Sequence, residues 1–219
     1  RSALFTASDG RAEPTLAVPA IASRAREKGA IILEGTAARG IETESGSVCG
    51  VITEKGRIDC NAVLVAGGVW SRLFCRPLAI DVPQLKILSS VMRTHPIKGC
   101  PEVSVSGHGF AFRKRLDGGY TVANGNIINY ELVPDSLRFS MHFLPLAWKA
   151  RKELRLRFSN RFGIERREPN LWSLDQPGPF ETTRILNPNP VRQELHSAKQ
   201  NLVSAYPSFG ELQVAEEWA

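Results

Sequence analysis

The sequence predicts a mixed architecture: an incomplete α/β module, then an α+β domain built on an antiparallel sheet with helices on one side. Three observations carry that prediction. A helix-like stretch over 13–28 leads through short β-rich runs to the continuous apolar run Ala62-Val63-Leu64-Val65-Ala66. After Pro83 the texture changes to short β-patterned runs separated by turn residues. Two further helix-like stretches, 144–158 and 190–205, and a strand-like run over 213–218 complete the order.

Each element has a local reason. Pro14 suits a first helical position, Leu16, Ala20 and Ile21 form an apolar stripe, and Gly29 suits the exit, whereas Pro19 disturbs the first turns. Ala30–Leu33 reads as a strand. Val48–Thr53 and Arg57–Asp59 read as a hairpin around Glu54-Lys55-Gly56, with Gly56 permitting the turn. Ala62–Ala66 is too short for a typical helix and reads as a strand buried on both faces inside a parallel sheet, ending in Gly67-Gly68. Beyond Pro83, Leu85–Arg93, Gly109–Leu116 and Gly119–Ala123 read as antiparallel strands, the last two joined at Asp117-Gly118. The expected organisation is residues 1–82, residues 83–210, and a closing strand over 211–219.

Composition narrows the functional classes. With 42% hydrophobic and 23% charged residues, the chain has the balance of a folded globular protein. No run is long enough to span a bilayer and no signal peptide is visible, so a cytoplasmic setting is expected. Both ends read as cut, which makes this an expected internal piece of a longer protein. Cys49, Cys60, Cys75 and Cys100 are scattered, and His95, His108, His142 and His196 lack ligand spacing, so no metal site is expected. The net charge of +6 is accounted for by one stretch, where Lys149, Arg151, Lys152, Arg155, Arg157, Arg161, Arg166 and Arg167 face only Glu153 and Glu165. The plain reading is a solvated helix face; the functional one is a contact with an anionic membrane or a partner subunit over 149–167. Aromatic residues do not interleave with the run as a base-stacking platform would require, so nucleic acid is not an expected partner.

The order of short motifs is the more specific signal. Asp9-Gly10-Arg11-Ala12-Glu13-Pro14, the first helix, Gly29-Ala30-Ile31-Ile32-Leu33-Glu34-Gly35-Thr36-Ala37-Ala38, the hairpin and Ala66-Gly67-Gly68-Val69-Trp70-Ser71 follow one another. Phe180-Glu181-Thr182-Thr183-Arg184 and Ala215-Glu216-Glu217-Trp218-Ala219 come later. This ordered set resembles the FAD-dependent D-amino-acid oxidase and glycine oxidase superfamily, in particular its bacterial D-amino-acid dehydrogenase-like members, and the resemblance covers essentially the whole chain.

The resemblance implies that residues 1–82 are part of a Rossmann-like FAD-binding domain and that 83–210 form the substrate domain. It places the adenine of FAD on the backbone of Ala38, lines the cofactor with Ala66, Gly67 and Gly68, and puts Trp70 near the flavin. Gly107–Arg113 matches the family's pocket strand, so His108, Phe110 and Arg113 are the implied substrate-binding residues, with Arg115 a further guanidinium for a carboxylate. Phe110 stands where some relatives carry Tyr. Two departures stand beside these matches: the chain contains no G-x-G-x-x-G motif, and the arginine that often follows the family's tryptophan-containing strand is not in it.

The implied reaction is oxidation of a C–N bond, with hydride passing from the amine-bearing carbon to flavin N5 and water hydrolysing the imine. D-amino acids are the implied substrates, with sarcosine- or opine-type N-alkyl amino acids as the alternative. A non-catalytic docking module working through the basic run is the reading from another class. No residue is singled out as a catalytic acid or base.

Overall fold

Turn chemistry accounts for the first sheet. The computed structural model describes residues 3–125 and 127–219. Helix α1 (Pro14–Glu27) starts on a proline and tolerates Pro19 in its second turn. Strands β1 (Ala38–Glu44), β2 (Ser47–Thr53) and β3 (Gly56–Asp59) form an antiparallel meander in that order. Gly46 (φ +82°) and Gly56 (φ +128°) make its two tight turns, conformations an L side chain resists. Thr53 reinforces the second turn, its hydroxyl donating to Gly56 O at 2.7 Å and accepting the Lys55 N–H at 3.1 Å.

The remaining elements are helix α2 (Ser71–Cys75), strands β4 (Ile87–Leu88), β5 (Val91–Thr94), β6 (Val105–Gly107), β7 (Phe110–Lys114), β8 (Tyr120–Ala123) and β9 (Ile128–Glu131), then helices α3 (Pro134–Arg138) and α4 (Ser140–Lys149). Strand β10 (Leu154–Arg157), helices α5 (Arg161–Arg166), α6 (Pro179–Thr182) and α7 (Arg192–Ala205), and strand β11 (Val214–Trp218) follow. Three sheets result, ordered β1-β2-β3, β10-β9-β4 and β11-β5-β8-β7-β6. Every pairing is antiparallel except β9 with β10.

The chain packs as two units, each assembled from separated stretches. One takes the chain through Ile32, then Ser89–Ile127 and Asn189–Ala219; the other takes Leu33–Leu88 and Ile128–Pro188. Within the first unit, strand pairing draws β11 from the end of the chain onto β5. In the first unit α7 covers one face of the five-stranded sheet. Phe110, Phe112, Tyr120 and Val122 meet Leu195, Leu202 and Phe209 there, all nearly inaccessible.

Several expected elements take other forms. Ala30–Leu33 is not a strand: Ala30 N–H closes back onto Ala25 O, and the residues after it are exposed. Ala62–Ala66 is not in a sheet either. It has no ladder bonds, Val63 and Val65 are half-buried between exposed neighbours, and Leu64 is 92% exposed. A strand buried on both faces needs a partner on each side, and no described strand pairs with this run. The helix expected over 144–158 stops at Lys149, where Ala150 N–H bonds Leu146 O. The alternation Leu154-Arg155-Leu156-Arg157 then pairs with β9 as a strand. The basic run therefore lies on a helix end, a turn, β10 and α5 rather than on one helix face.

Candidate functional site

In the second unit, β1, the irregular run 62–67 and α6 line an apolar hollow of about 300 Å³. Ala38, Ala66, Gly67 and Trp70 all line it, so four of the five expected cofactor-contacting residues are brought together. Sequence reasoning assigned no place to Val51, Phe74 and Phe180, which complete its wall with Val63, Leu64 and Val65. Phe180 lies within the Phe180–Arg184 motif, so a signal existed although its role was not readable. Its ring is held between Phe74 (centroids 5.5 Å) and Trp172 (5.6 Å). Gly68 is not part of the lining; it adopts φ +54° beside Gly67, and its carbonyl accepts the Gln84 Nε2–H at 2.9 Å.

Ion pairs fasten α6 and its neighbours to β1. Arg39 grips Glu181 through Nε (2.8 Å) and Nη2 (3.1 Å), and Glu181 also accepts the Gly178 N–H at 2.9 Å. Trp172 Nε1 donates to Arg39 O at 2.8 Å. Arg184 binds both oxygens of Glu54, at 2.8 and 2.6 Å, and Glu54 accepts the Ala37 N–H at 2.6 Å. That pairing with Arg184, helped by the Ala37 amide, holds the Glu54 carboxyl at about 2, below its ordinary 4.5. The backbone entering Ala38 is thus fixed by a carboxylate and an arginine from 130 residues away.

The hollow suits one part of a dinucleotide and not another. Its walls are aliphatic, aromatic and glycine, with no lysine or arginine among them, so it fits a flat heteroaromatic ring rather than a pyrophosphate.

The residues expected on the substrate side fall in the first unit. His108 and Phe110 do not share a strand face: His108-Gly109 is the two-residue turn between β6 and β7, with Gly107 paired to Phe110. His108 is exposed, and Phe110 is 6% exposed in the core against Tyr206. Arg113 points to the opposite face of β7, by the alternation of the strand. There its guanidinium meets Glu13 at 3.1 Å, while Glu13 also accepts the Leu116 N–H at 3.3 Å. Burial opposes ionisation of Glu13, but Arg113 and that amide outweigh it and keep the carboxyl below its ordinary range. Arg115 pairs with Asp117 at 3.1 Å. Among the described residues no group of three or more His, Cys, Asp or Glu is placed to hold a metal.

The structure thus offers a mixed fold with antiparallel sheets and an apolar, ring-sized hollow beside a glycine turn. The sequence profile of the FAD dependent oxidoreductase family (DAO) matches residues 1–219, and the chain belongs to that family. Its fold is similar to L-amino acid deaminase from Proteus myxofaciens, solved in complex with anthranilate, with TM-score 0.87 and 32% identity over 94% of this chain and 46% of that one. L-amino acid deaminase from Proteus vulgaris gives TM-score 0.86 at 31% identity, over 94% of this chain and 48% of that one. Among curated proteins, D-amino acid dehydrogenase from Rhizobium johnstonii is 35% identical over 80 residues, 36% of this chain and 17% of that protein. A 4-methylaminobutanoate oxidase (formaldehyde-forming) from Paenarthrobacter nicotinovorans is 27% identical over 146 residues, 65% of this chain and 17% of that protein. The chain thus spans about half the length of the solved relatives and about a sixth of the curated ones.

Proposed function

We propose that this chain serves an FAD-dependent enzyme that oxidises the C–N bond of an α-amino acid. The observation that carries the reading is the convergence of Ala38, Ala66, Gly67 and Trp70 on one ring-sized apolar hollow. Ala38 comes from a different motif than Ala66, Gly67 and Trp70, so its meeting with them is not a by-product of sequence proximity. FAD, the cofactor of the family, supplies the hydride acceptor when bound. Ala38 would present backbone to its adenine, and the irregular run ending in Gly67-Gly68 would line the flavin side, with Trp70 flanking the ring system. The Arg39–Glu181 and Arg184–Glu54 pairs keep that wall rigid. Among the described residues no helix is long and apolar enough to cross a membrane.

On the substrate side, Arg113 acts through Glu13, fixing the entry of α1 over the sheet, and Phe110 supports the same strand from behind. His108, at the turn, would sit at the rim. D-amino acids are the first expected substrates. L-amino acids are the second reading, favoured by a fold likeness to L-amino acid deaminases that extends over 94% of the chain. The test is oxidation of matched D- and L-amino acids by the flavin-loaded protein, followed by release of the keto acid. Turnover of one enantiomer and its loss in Trp70→Ala support the proposal. Retained flavin with no turnover of either enantiomer would overturn it. Reversing charge at Arg151 and Lys152 checks the membrane reading: release from anionic vesicles would support it, and unaltered binding would remove it.

A further inference from the structure

A second hollow in the second unit, of about 430 Å³, shares no lining residue with the apolar one. Its walls carry four arginines and four carboxylates. The arginines come from four places: Arg72 in α2, Arg76 in the turn after it, Arg138 at the end of α3 and Arg166 at the end of α5. Part of this charge is already matched. Arg138 Nη2 donates to both oxygens of Asp81, at 3.0 and 2.8 Å. Glu165 accepts from Lys86 at 3.0 Å and from Arg161 at 2.8 Å, and neither of these cations lines the hollow. Three arginines, Arg72, Arg76 and Arg166, are left against two carboxylates, Asp135 and Glu168. Burial pushes the Glu168 carboxyl up, so it takes up a proton more readily than an ordinary glutamate and the surplus stays positive.

Those three arginines are poorly partnered. The Arg72 side chain is 7% exposed, yet its Nη2 reaches Asp135 only at 3.4 Å and Asp81 only at 3.6 Å. Its Nε–H is buried and has no acceptor among the described residues. The Phe139 ring, 5.1 Å from the guanidinium, supports the cation from one side but offers no oxygen. Arg76, with a side chain 17% exposed, reaches Asn170 at 3.5 Å and Glu168 at 3.9 Å. Arg166 is exposed and makes no ion pair among the described residues. Charge-assisted N–H···O bonds close to about 2.7–2.9 Å, so each contact of Arg72 and Arg76 falls well short.

A buried guanidinium whose donors find only distant acceptors is costly to keep, and an anion that accepts from it removes that cost. A carboxylate offers its two oxygens in one plane, whereas a tetrahedral oxyanion accepts from several directions, as arginines on separate elements require. We propose that this hollow binds a phosphate group, held by Arg72 and Arg76 from within and by Arg166 from the exposed side. At about 430 Å³ the hollow has room for more than the phosphate itself, so its ligand is a small organic phosphate monoester. The site is separate from the apolar hollow assigned to the flavin, and the inference does not depend on the reaction proposed above.

The experiment is calorimetric titration of the full chain with sodium phosphate and with glycerol phosphate, the ionic strength held constant with sodium chloride. Saturable binding of one equivalent per chain is expected, with glycerol phosphate the tighter of the two. Arg76→Gln and Arg166→Gln should each raise Kd ~10-fold or more, the loss of a charge-assisted hydrogen bond. Arg166 is exposed, so its variant decides the matter should Arg76→Gln fail to fold. Glu168→Gln removes a negative charge beside Arg76 and should lower Kd, whereas Lys28→Gln, an equal loss of positive charge on the first unit, should leave it unaltered. Heat that sodium chloride alone reproduces, or folded Arg76 and Arg166 variants that bind as the wild type does, would overturn the site. So would release of FAD from the loaded protein as phosphate saturates, because the phosphate would then occupy the cofactor's place.

Discussion

Phe110–Lys114 and Ala62–Ala66 are both five-residue, β-prone runs, yet they end in opposite conditions. The first is paired on both sides, by β6 and β8, and its alternation is decided: Phe110 and Phe112 in the core, Ala111 and Arg113 on the opposite face. The second has no ladder partner, and its most hydrophobic central residue, Leu64, stands in solvent. The difference teaches that burial of a run is a property of its neighbours. Side-chain alternation becomes a fixed inside and outside only when cross-strand partners set the register.

The comparison breaks most visibly in the core. Phe112 is 3% exposed and its ring meets those of Phe110, Tyr120, Tyr206 and Phe209. Phe112→Ala should destabilise the first unit by about 3–5 kcal/mol in denaturant unfolding, the transfer term adding to a cavity that β-sheet neighbours fill poorly. A loss under about 1 kcal/mol would mean that the aromatic cluster is not the core.

A smaller effect sharpens the other side. Gly68→Ala should cost roughly 1–2 kcal/mol, because the backbone at φ +54° resists a Cβ although nothing lies within 4 Å of it. Gly67, at φ −77°, has no such strain, and its added methyl would meet Ser71 Oγ at 3.4 Å, so Gly67→Ala should cost less. Equal costs would show that the turn does not require its left-handed residue.

The Glu54–Arg184 pair predicts a local pH effect beside the hollow. Glu54 has a folded-state value of about 2 against an ordinary 4.5, so it binds its proton less readily when folded. Its contribution is full above about 4.5 and disappears as pH falls towards 2. The protection factor of the Ala37 amide, its exchange rate referred to that of the unfolded chain at the same pH, should fall through that window, and Glu54→Gln should abolish this dependence. A protection factor that stays flat through acidification would exclude the carboxylate as the clamp. The smallest effect belongs to the exposed run itself: Leu64→Ser should change stability by no more than about 0.5 kcal/mol.

How much of this was readable from sequence depends on the range of the interaction. The glycine turn at Gly56, Asp117-Gly118 and the alternation of β7 and β8 are local signals, and the hairpins they predict are present. Likewise α1, α7 and β11 lie where proline, helical patterning and a β-rich run place them. The aromatic wall of the hollow was not readable, because Phe180 reaches it through an Arg39–Glu181 pair spanning 142 residues. No local pattern encodes such a contact.

The sequence by itself determined the elements with short-range causes and, through the order of its motifs, the family and its flavin. The tertiary structure alone decided which apolar runs are buried, that the basic stretch breaks into a helix end, a strand and a helix, and that β11 pairs with β5. It also decided that Arg113 pairs with Glu13 and Arg93 with Glu216. Propensity, capping and turns act over a few residues, whereas burial, charge pairing and strand partners are settled by residues that meet only when the chain has folded.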